Sequence, residues 1–345
     1  MVALDVFNQK AFSTLSLTTA INKAPFAPKR LGSMGLFTER GIMTTTALIE
    51  ERHGKLHLLS TAARGTQPTV FSGPIRHARS FVVPHIPLNA AVFADDVQNI
   101  RAFGSETELE TVSQHVNDKL AAMRQSFEAT WEWHRIGAVK GVVLDGDAST
   151  TLFNWFTEFG ITQTTKVFYL DVASFSVKAK AMDIIRDMED ALGMDTYQRI
   201  HCLCGNTFFD QLISNAEVKE AYDRFQDSAF FRATQRGPNG VGGGFMFADI
   251  MWENYRGGVG GTKFIADDEA YFFPVGVPDL FQVIYAPGDF METVNTTGRP
   301  IYVKQERMRF DKGVELHAQS NPLHICTRPS TLIKGTYQAG SASGS

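Results

Sequence analysis

SETELETVSQHVNDKLAAMRQSFEATWEWHRIGAVKG, residues 105–141, is the longest uninterrupted helical pattern in this 345-residue chain. Ser105 and Glu108 make an S-x-x-E capping box, in which each side chain satisfies an otherwise orphaned backbone N–H. Leu109, Val112, Val116, Leu120, Met123, Phe127 and Trp131 follow at steps of three and four, so all seven share one stripe. Glu106, Glu108 and Glu110 occupy the first turns, where the helix dipole favours negative charge. Gly137 and Gly141 weaken and then stop the pattern. About 35 residues at ~1.5 Å each predict a rod of roughly 50 Å. A compact enzyme rarely needs such a rod, whereas a protein that tiles a surface does.

Working outward, 43% hydrophobic residues can bury a sizeable core in roughly two domains' worth of chain. No apolar run approaches the ~18 to 20 residues of a membrane span. The start, MVALDVFNQK, lacks a basic and then apolar leader pattern, so the chain reads as soluble and intracellular when made. Cys202, Cys204 and Cys326 cannot build a disulfide framework. A net charge of -4 argues against a dedicated nucleic-acid binder, which carries clustered positive charge. The 27 phenylalanines supply large flat contact area for cores and interfaces alike.

Residues 1–42 read as an arm, with Phe26, Arg30 and Phe37 as candidate contacts to a neighbouring subunit; a frayed terminus is the plainer alternative. From Met43 the pattern is strand-like. Thr44–Glu51 and Lys55–Thr61 flank His53-Gly54, which predicts a hairpin. A loop over 63–80 and a short strand at 81–83 follow. Between Glu51 and Asp95 there is no acidic residue, while Arg52, Lys55, Arg64, Arg76 and Arg79 fall in that window. Either this is a solvated loop, or it is a projecting arm that seeks an acidic surface on another subunit. After the long helix, strands are expected at 142–145 and 151–156, with 161–170 continuing that sheet. A second helix is expected from Ser174 to Gly193, a strand at 199–204, and a third helix over 207–225. Strands are expected again at 245–253, 262–265, 269–273, 301–310 and 313–326. Long strand pairs early and late, separated by helices, make an α+β chain.

The chain's apparent chemical motifs do not close. GPNGVGGG (237–244) is followed by Phe245-Met246 where a phosphate loop needs Lys-Ser or Lys-Thr. Asp145, Asp147 and Ser149 begin like a calcium loop, but Thr150 and Phe156 stand where Gly and Glu belong, and a tight hairpin turn explains them better. Cys202 and Cys204 face the same way on a strand with no second pair for zinc, so they read as buried apolar residues. No catalytic, cofactor or metal residue is nominated.

GNTFFDQLISNAEVKEAYDRF (205–225), YAPGDFMETVNTTGRP (285–300) and KGVELHAQSNPLHICTRP (312–329) resemble segments of the lambda-type major capsid proteins of tailed bacteriophages, the capsid protein E family. PHIPL (84–88) and GVVLDGD (141–147) add to the resemblance, which covers about residues 30 to 335. These are packing motifs, and the family has no catalytic residues to transfer. The resemblance implies the tailed-phage major capsid fold of the Hong Kong 97 type. On that plan 1–42 is the N-terminal arm and 43–103 the E-loop region. Residues 104–165 are peripheral domain with the spine helix, 166–298 axial domain, 299–335 the peripheral return strands and 336–345 a flexible tail. The resemblance also implies a virion location and assembly in the bacterial host cytoplasm, as hexamers and pentamers of an icosahedral head. It implies packaged double-stranded DNA on the inner face without sequence-specific binding, a portal, a decoration protein as an option, and no membrane. With so short a stretch before the E-loop, a separate scaffolding protein is expected. The rival readings are an intracellular α+β enzyme without a recognisable motif, or another phage structural subunit.

Overall fold

The structure, a computed structural model, describes residues 18, 21, 30–53, 75–93, 96, 108–193, 195–219, 244–259 and 261–340, with side chains at all of these except 50–53, 75–78, 108–114 and 311. The rod is present: Glu108–Lys140 is one helix of 33 residues, about 50 Å at ~1.5 Å per residue. Ser105 lies outside the described residues, as do the side chains of Leu109 and Val112. Val116, Leu120, Met123, Phe127 and Trp131 form the buried stripe, each 5% exposed or less. They pack on Val92, Val283, Tyr285, Ile301, Val303, Val314, Leu316 and Ala318, so the helix backs the long strands as its periodicity predicts. Trp131 ties helix to strand by donating from Nε1 to Ser320 Oγ at 3.1 Å.

Gly137 does not weaken the helix; it lies buried inside it. A β-carbon there would meet Val143 Cα at 2.9 Å, so glycine is what allows the strand Val142–Leu144 to lie against the rod. Gly141 does stop the helix, at φ 82, and its carbonyl accepts from Trp155 N at 2.9 Å.

Two strand systems flank the rod. On one side, Ile86–Phe93, Gly313–Ser320 and Tyr302–Arg307 form an antiparallel sheet with Gly313–Ser320 in the middle. Beside it, Phe281–Tyr285 lies between Thr38–Gly41 and Pro322–Cys326. On the other side is a six-stranded mixed sheet in the order Thr164–Phe168, Ile333–Tyr337, Glu269–Val275, Arg199–Cys204, Ile250–Asn254, Gly244–Phe247. Helices Val177–Leu192 and Asn206–Ser214 cover one face of that sheet, against Cys202, Cys204, Trp252, Ala270 and Phe272. Leu203, Tyr271 and Phe273 on its other face join Leu31, Ile136 and Val139 from the N-terminal segment and the rod. Burial on both faces explains why the central strands read as continuous apolar runs.

Several expectations need correction. Strand Thr46–His53 pairs with Ile75–Val82, from Thr46↔Val82 to His53↔Ile75, and not with 55–61. The tight turn at His53-Gly54 is therefore not the connection, since 54–74 separates the two strands. Segment 161–170 supplies Thr164–Phe168 to the six-stranded sheet instead of extending the 142–154 hairpin. The second helix is capped by Ser176, whose side chain accepts from Ala179 N, and not by Ser174. The third helix breaks after Ser214, with helix resuming at 216–219; residues 220–225 lie outside the described residues. Asn215 at the break turns its side chain to Leu170 O and Glu217 N. The run 313–326 breaks at Asn321, which donates to Pro287 O at 2.7 Å and contacts His85 Nδ1 at 2.8 Å, sending its two halves to different sheets. Strands Phe281–Tyr285 and Ile333–Tyr337 were not anticipated, and their pairing crosses the divisions drawn at 298 and 335.

The expected strand 245–253 is two antiparallel strands, Gly244–Phe247 and Ile250–Asn254, and the expected strand 151–156 ends at Asn154, which caps the helix Trp155–Phe159. Two small features agree with the sequence. Asp147 accepts from Ser149 N and Thr150 N and closes the 145–150 turn, while Cys202 and Cys204 are fully buried with their Sγ atoms 3.5 Å apart.

Candidate functional site

The element that stands out from this body is the two-stranded hairpin Thr46–His53/Ile75–Val82. A hairpin with no third strand is marginal alone. Here it is anchored at its base: Ala47, Ile49, Phe81 and Val83 pack into a cluster with Trp155, Phe159, Ala138, Val143, Leu323 and Ile325. Phe81 meets the Trp155 ring edge-on at 5.3 Å. Strand alternation then turns Leu48 and Val82 to the opposite face, where they are 66% and 70% exposed, with Met43 nearby in sequence at 60%. Thr46 opposes Val82 and Leu48 opposes Ser80, so Leu48 and Val82 are diagonal neighbours on one outward surface.

Where it is described, the N-terminal segment packs into the core, with Ile21 and Leu31 fully buried. Arg30 opens a short helix, Arg30–Ser33, and reaches Glu253 by two hydrogen bonds of 2.5 and 2.7 Å. Glu253 is also bonded to His201 Nε2 at 2.9 Å. Burial pushes the His201 imidazole down despite that carboxylate, so the ring is neutral and Arg30 is the counter-charge. Burial alone would raise Glu253; hydrogen bonds from His201 and Arg30 outweigh it and hold the carboxyl below its ordinary value. From the rod, Glu132 accepts from Leu31 N at 2.7 Å, Gly32 N at 3.2 Å and Tyr255 OH at 3.3 Å. Burial nonetheless raises its pKa. Two carboxylates from two elements thus clamp one turn of chain. Further along, Phe37 packs on Phe281 at 5.3 Å, and Thr38–Gly41 adds a parallel strand. Upstream, Thr18 Oγ1 accepts from Val303 N at 3.1 Å, and Arg124 donates to the Ile21 carbonyl.

The candidate contact residues therefore divide. Arg30 and Phe37 are engaged by their own chain. Arg79 lies over the Phe159 ring at 5.2 Å, at the hairpin base. Arg52 and Arg76 are directly paired across the hairpin, with only their backbone described. Phe26, Lys55 and Arg64 lie outside the described residues. The exposed apolar residues Leu48 and Val82 escaped the sequence reading, which weighed charge alone; alternation across the 46–49 and 79–82 segments was the signal available.

Among the described residues no three His, Cys, Asp or Glu side chains gather as a metal set, and no helix is long and apolar enough to cross a membrane. A polar cleft lined by Asn206, Asp210, Tyr255, Lys263 and Asp267 has its lysine paired to Asp267 at 2.7 Å.

Residues 13–337 match the family model described as phage major capsid protein E. The chain belongs to that family. Among curated relatives of this phage capsid chain, the major capsid protein of Pseudomonas phage KPP10 is 28% identical over 342 residues, covering 95% of this chain and 97% of that one. The major capsid protein of Salmonella phage Felix O1 is 26% identical, covering 93% and 95%. Of solved structures, the putative capsid protein of an E. coli CFT073 prophage superposes with a TM-score of 0.53 at 15% identity, over 94% of this chain and 99% of that one. The satellite phage P4 procapsid gives 0.50 at 10%, over 96% and 92%. The fold is the tailed-phage major capsid fold, and the chain is a structural subunit of a phage head and its virion. For such a capsid protein the candidate functional site is a surface and not a pocket, and the anchored hairpin offers exposed apolar residues at Leu48 and Val82.

Proposed function

We propose that copies of this chain associate into hexamers and pentamers that close an icosahedral head around double-stranded DNA, assembled in the cytoplasm of the bacterial host. The observation that carries this reading is the hairpin 46–53/75–82, fixed at its base and turning Leu48 and Val82 into water. Exposed apolar side chains grouped on one face of a ribbon mark a contact surface. A neighbouring subunit is the partner that self-association provides. Arg52, Lys55, Arg64 and Arg76 extend the same arm as proposed E-loop contacts; Arg79 belongs to its base.

Strand pairing favours a revised division of the chain. The six-stranded sheet and its two helices, 164–275 with 333–337, make the axial unit. The rod with strands 86–93 and 302–320 makes the peripheral unit. A separate scaffolding protein, a portal and packaged DNA held without base readout are the partners this reading calls for; a decoration protein would reinforce weak axes.

Negative-stain microscopy of the purified protein, with and without its scaffold, tests the proposal. Closed shells are expected. Small discrete oligomers under every condition would overturn it.

A further inference from the structure

The hairpin Tyr302–Arg307/Gly313–Ser320 ends in a turn that carries an unexpected side chain. Phe310 is 90% exposed, and its backbone sits at φ 64, ψ 23. That left-handed region is costly for a bulky residue, so the turn spends backbone strain to hold an aromatic ring in water. Arg309 and Lys312 flank it, both exposed. The tip Arg309-Phe310-Asp311-Lys312 thus presents an apolar knob with an exposed cation at either end, and one carboxylate, Asp311, in the same turn.

The outward face of the same sheet carries the complementary surface. Glu306 and Glu315 lie directly opposite each other on adjacent strands, both exposed. Like charges in that relation destabilise a sheet. Neither carboxylate has a hydrogen bond or ion pair among the described residues. In register beside them run Ala91, opposite Glu315, and Phe93, 49% exposed and opposite Gly313, which carries no side chain. This is an apolar floor bordered by two unneutralised carboxylates. Phe310 is too exposed to sit on its own chain's floor, so among the described residues neither knob nor floor is covered.

We propose that the 302–320 hairpin docks head-to-tail on a second copy of this chain, its Phe310 seated on the neighbour's Phe93, Ala91 and Gly313, and its Arg309 and Lys312 meeting the neighbour's Glu306 and Glu315. The occupant is a second copy because the two exposed cations of the tip, which outnumber its one carboxylate, are opposite in sign to the two exposed carboxylates of the floor, and one chain presents both halves. A contact between two different surfaces repeats, closing into a ring when the rotation allows. The proposal rests on the shell reading for its setting and adds a specific contact to it.

Two measurements test it. Charge reversal at the tip (Arg309→Glu with Lys312→Glu) or at the floor (Glu306→Lys with Glu315→Lys) is expected to lower shell yield at least about ten-fold, since like-charge juxtaposition costs several kcal/mol and 1.4 kcal/mol is ten-fold. The quadruple variant restores opposite charges and is expected to recover yield, which a folding defect would not do. Separately, Phe310→Cys and Ala91→Cys proteins mixed under mild oxidation are expected to form an interchain disulfide; the three native cysteines are buried and give little background. Shells that form equally well from both reversals, with no interchain bond, overturn the docking while leaving the shell reading intact. An interchain bond in a protein that never forms shells supports the docking and overturns the shell reading.

Discussion

His134 on the rod and His324 on the adjoining strand meet edge to face with ring centroids 5.5 Å apart, both about 2% exposed. Among the described residues, His134 Nε2 and both nitrogens of His324 have no hydrogen-bond partner. Phe37 closes the other side of His324 at 6.1 Å, and Arg135 repels a proton there. Burial pushes His134 down to about 4 from 6.5, partly opposed by Asp145, and pushes His324 well down, with His134 and Arg135 adding to it. Both rings are therefore neutral in the fold and ready to protonate once unfolded. The unfolded chain binds more protons between pH 6.5 and about 4, so stability is intact above 6.5 and falls as pH drops through that window. For His134 the difference of about 2.5 pH units, at about 1.4 kcal/mol each, comes to roughly 3 kcal/mol, of which about 2 is gone by pH 5. His324 acts with the same sign. The assay is the urea midpoint of the unassembled subunit across pH 7.5 to 4, compared with His134→Phe and His324→Phe. These keep a ring in place and bury no unpaired nitrogen. The wild type should lose stability on acidification, and the variants should show a flatter slope between 6.5 and 4. A slope unchanged by either substitution would refute the reasoning.

Leu120→Asp buries an unpaired carboxylate in the helix stripe at several kcal/mol, a large part of a typical ~5 to 15 kcal/mol, so circular dichroism should show an unfolded or aggregated subunit. Arg30→Ala leaves Glu253 buried beside a neutral imidazole and should cost about 3 kcal/mol by chemical denaturation, with Glu253→Gln costing less. Gly141→Ala forces a left-handed alanine whose β-carbon would lie 2.2 Å from the Phe156 ring, and a lowered melting temperature by about 2 kcal/mol or more of destabilisation is expected. Leu48→Asp with Val82→Asp changes exposed positions, so subunit stability should stay within about 0.5 kcal/mol while shell yield in sedimentation drops.

The rod, its inward stripe, the helix 177–192 and the strand 199–204 were legible in the chain because each rests on a local signal. A 3.6-residue period, a stopping glycine such as Gly141 or Gly193, or a short apolar run specifies its own element whatever surrounds it, although the capping serine of 177–192 is Ser176 and not Ser174. The choice of strand partners was not legible. His53-Gly54 looks like a tight turn, yet the pairing that buries Phe81 with Ala47 and Ile49 against Trp155 reaches 75–82 instead. Thr38–Gly41 is exposed along its length and carries no strand pattern; it is a strand only because Phe281–Tyr285 offers it an edge. The clamp on Arg30–Ser33 joins residues about a hundred and two hundred positions apart, so neither carboxylate could be nominated beforehand. Periodicity decides what a segment is. Which distant segment covers it depends on which packing leaves the fewest apolar faces and buried charges unmatched, and that is settled only when the whole chain folds.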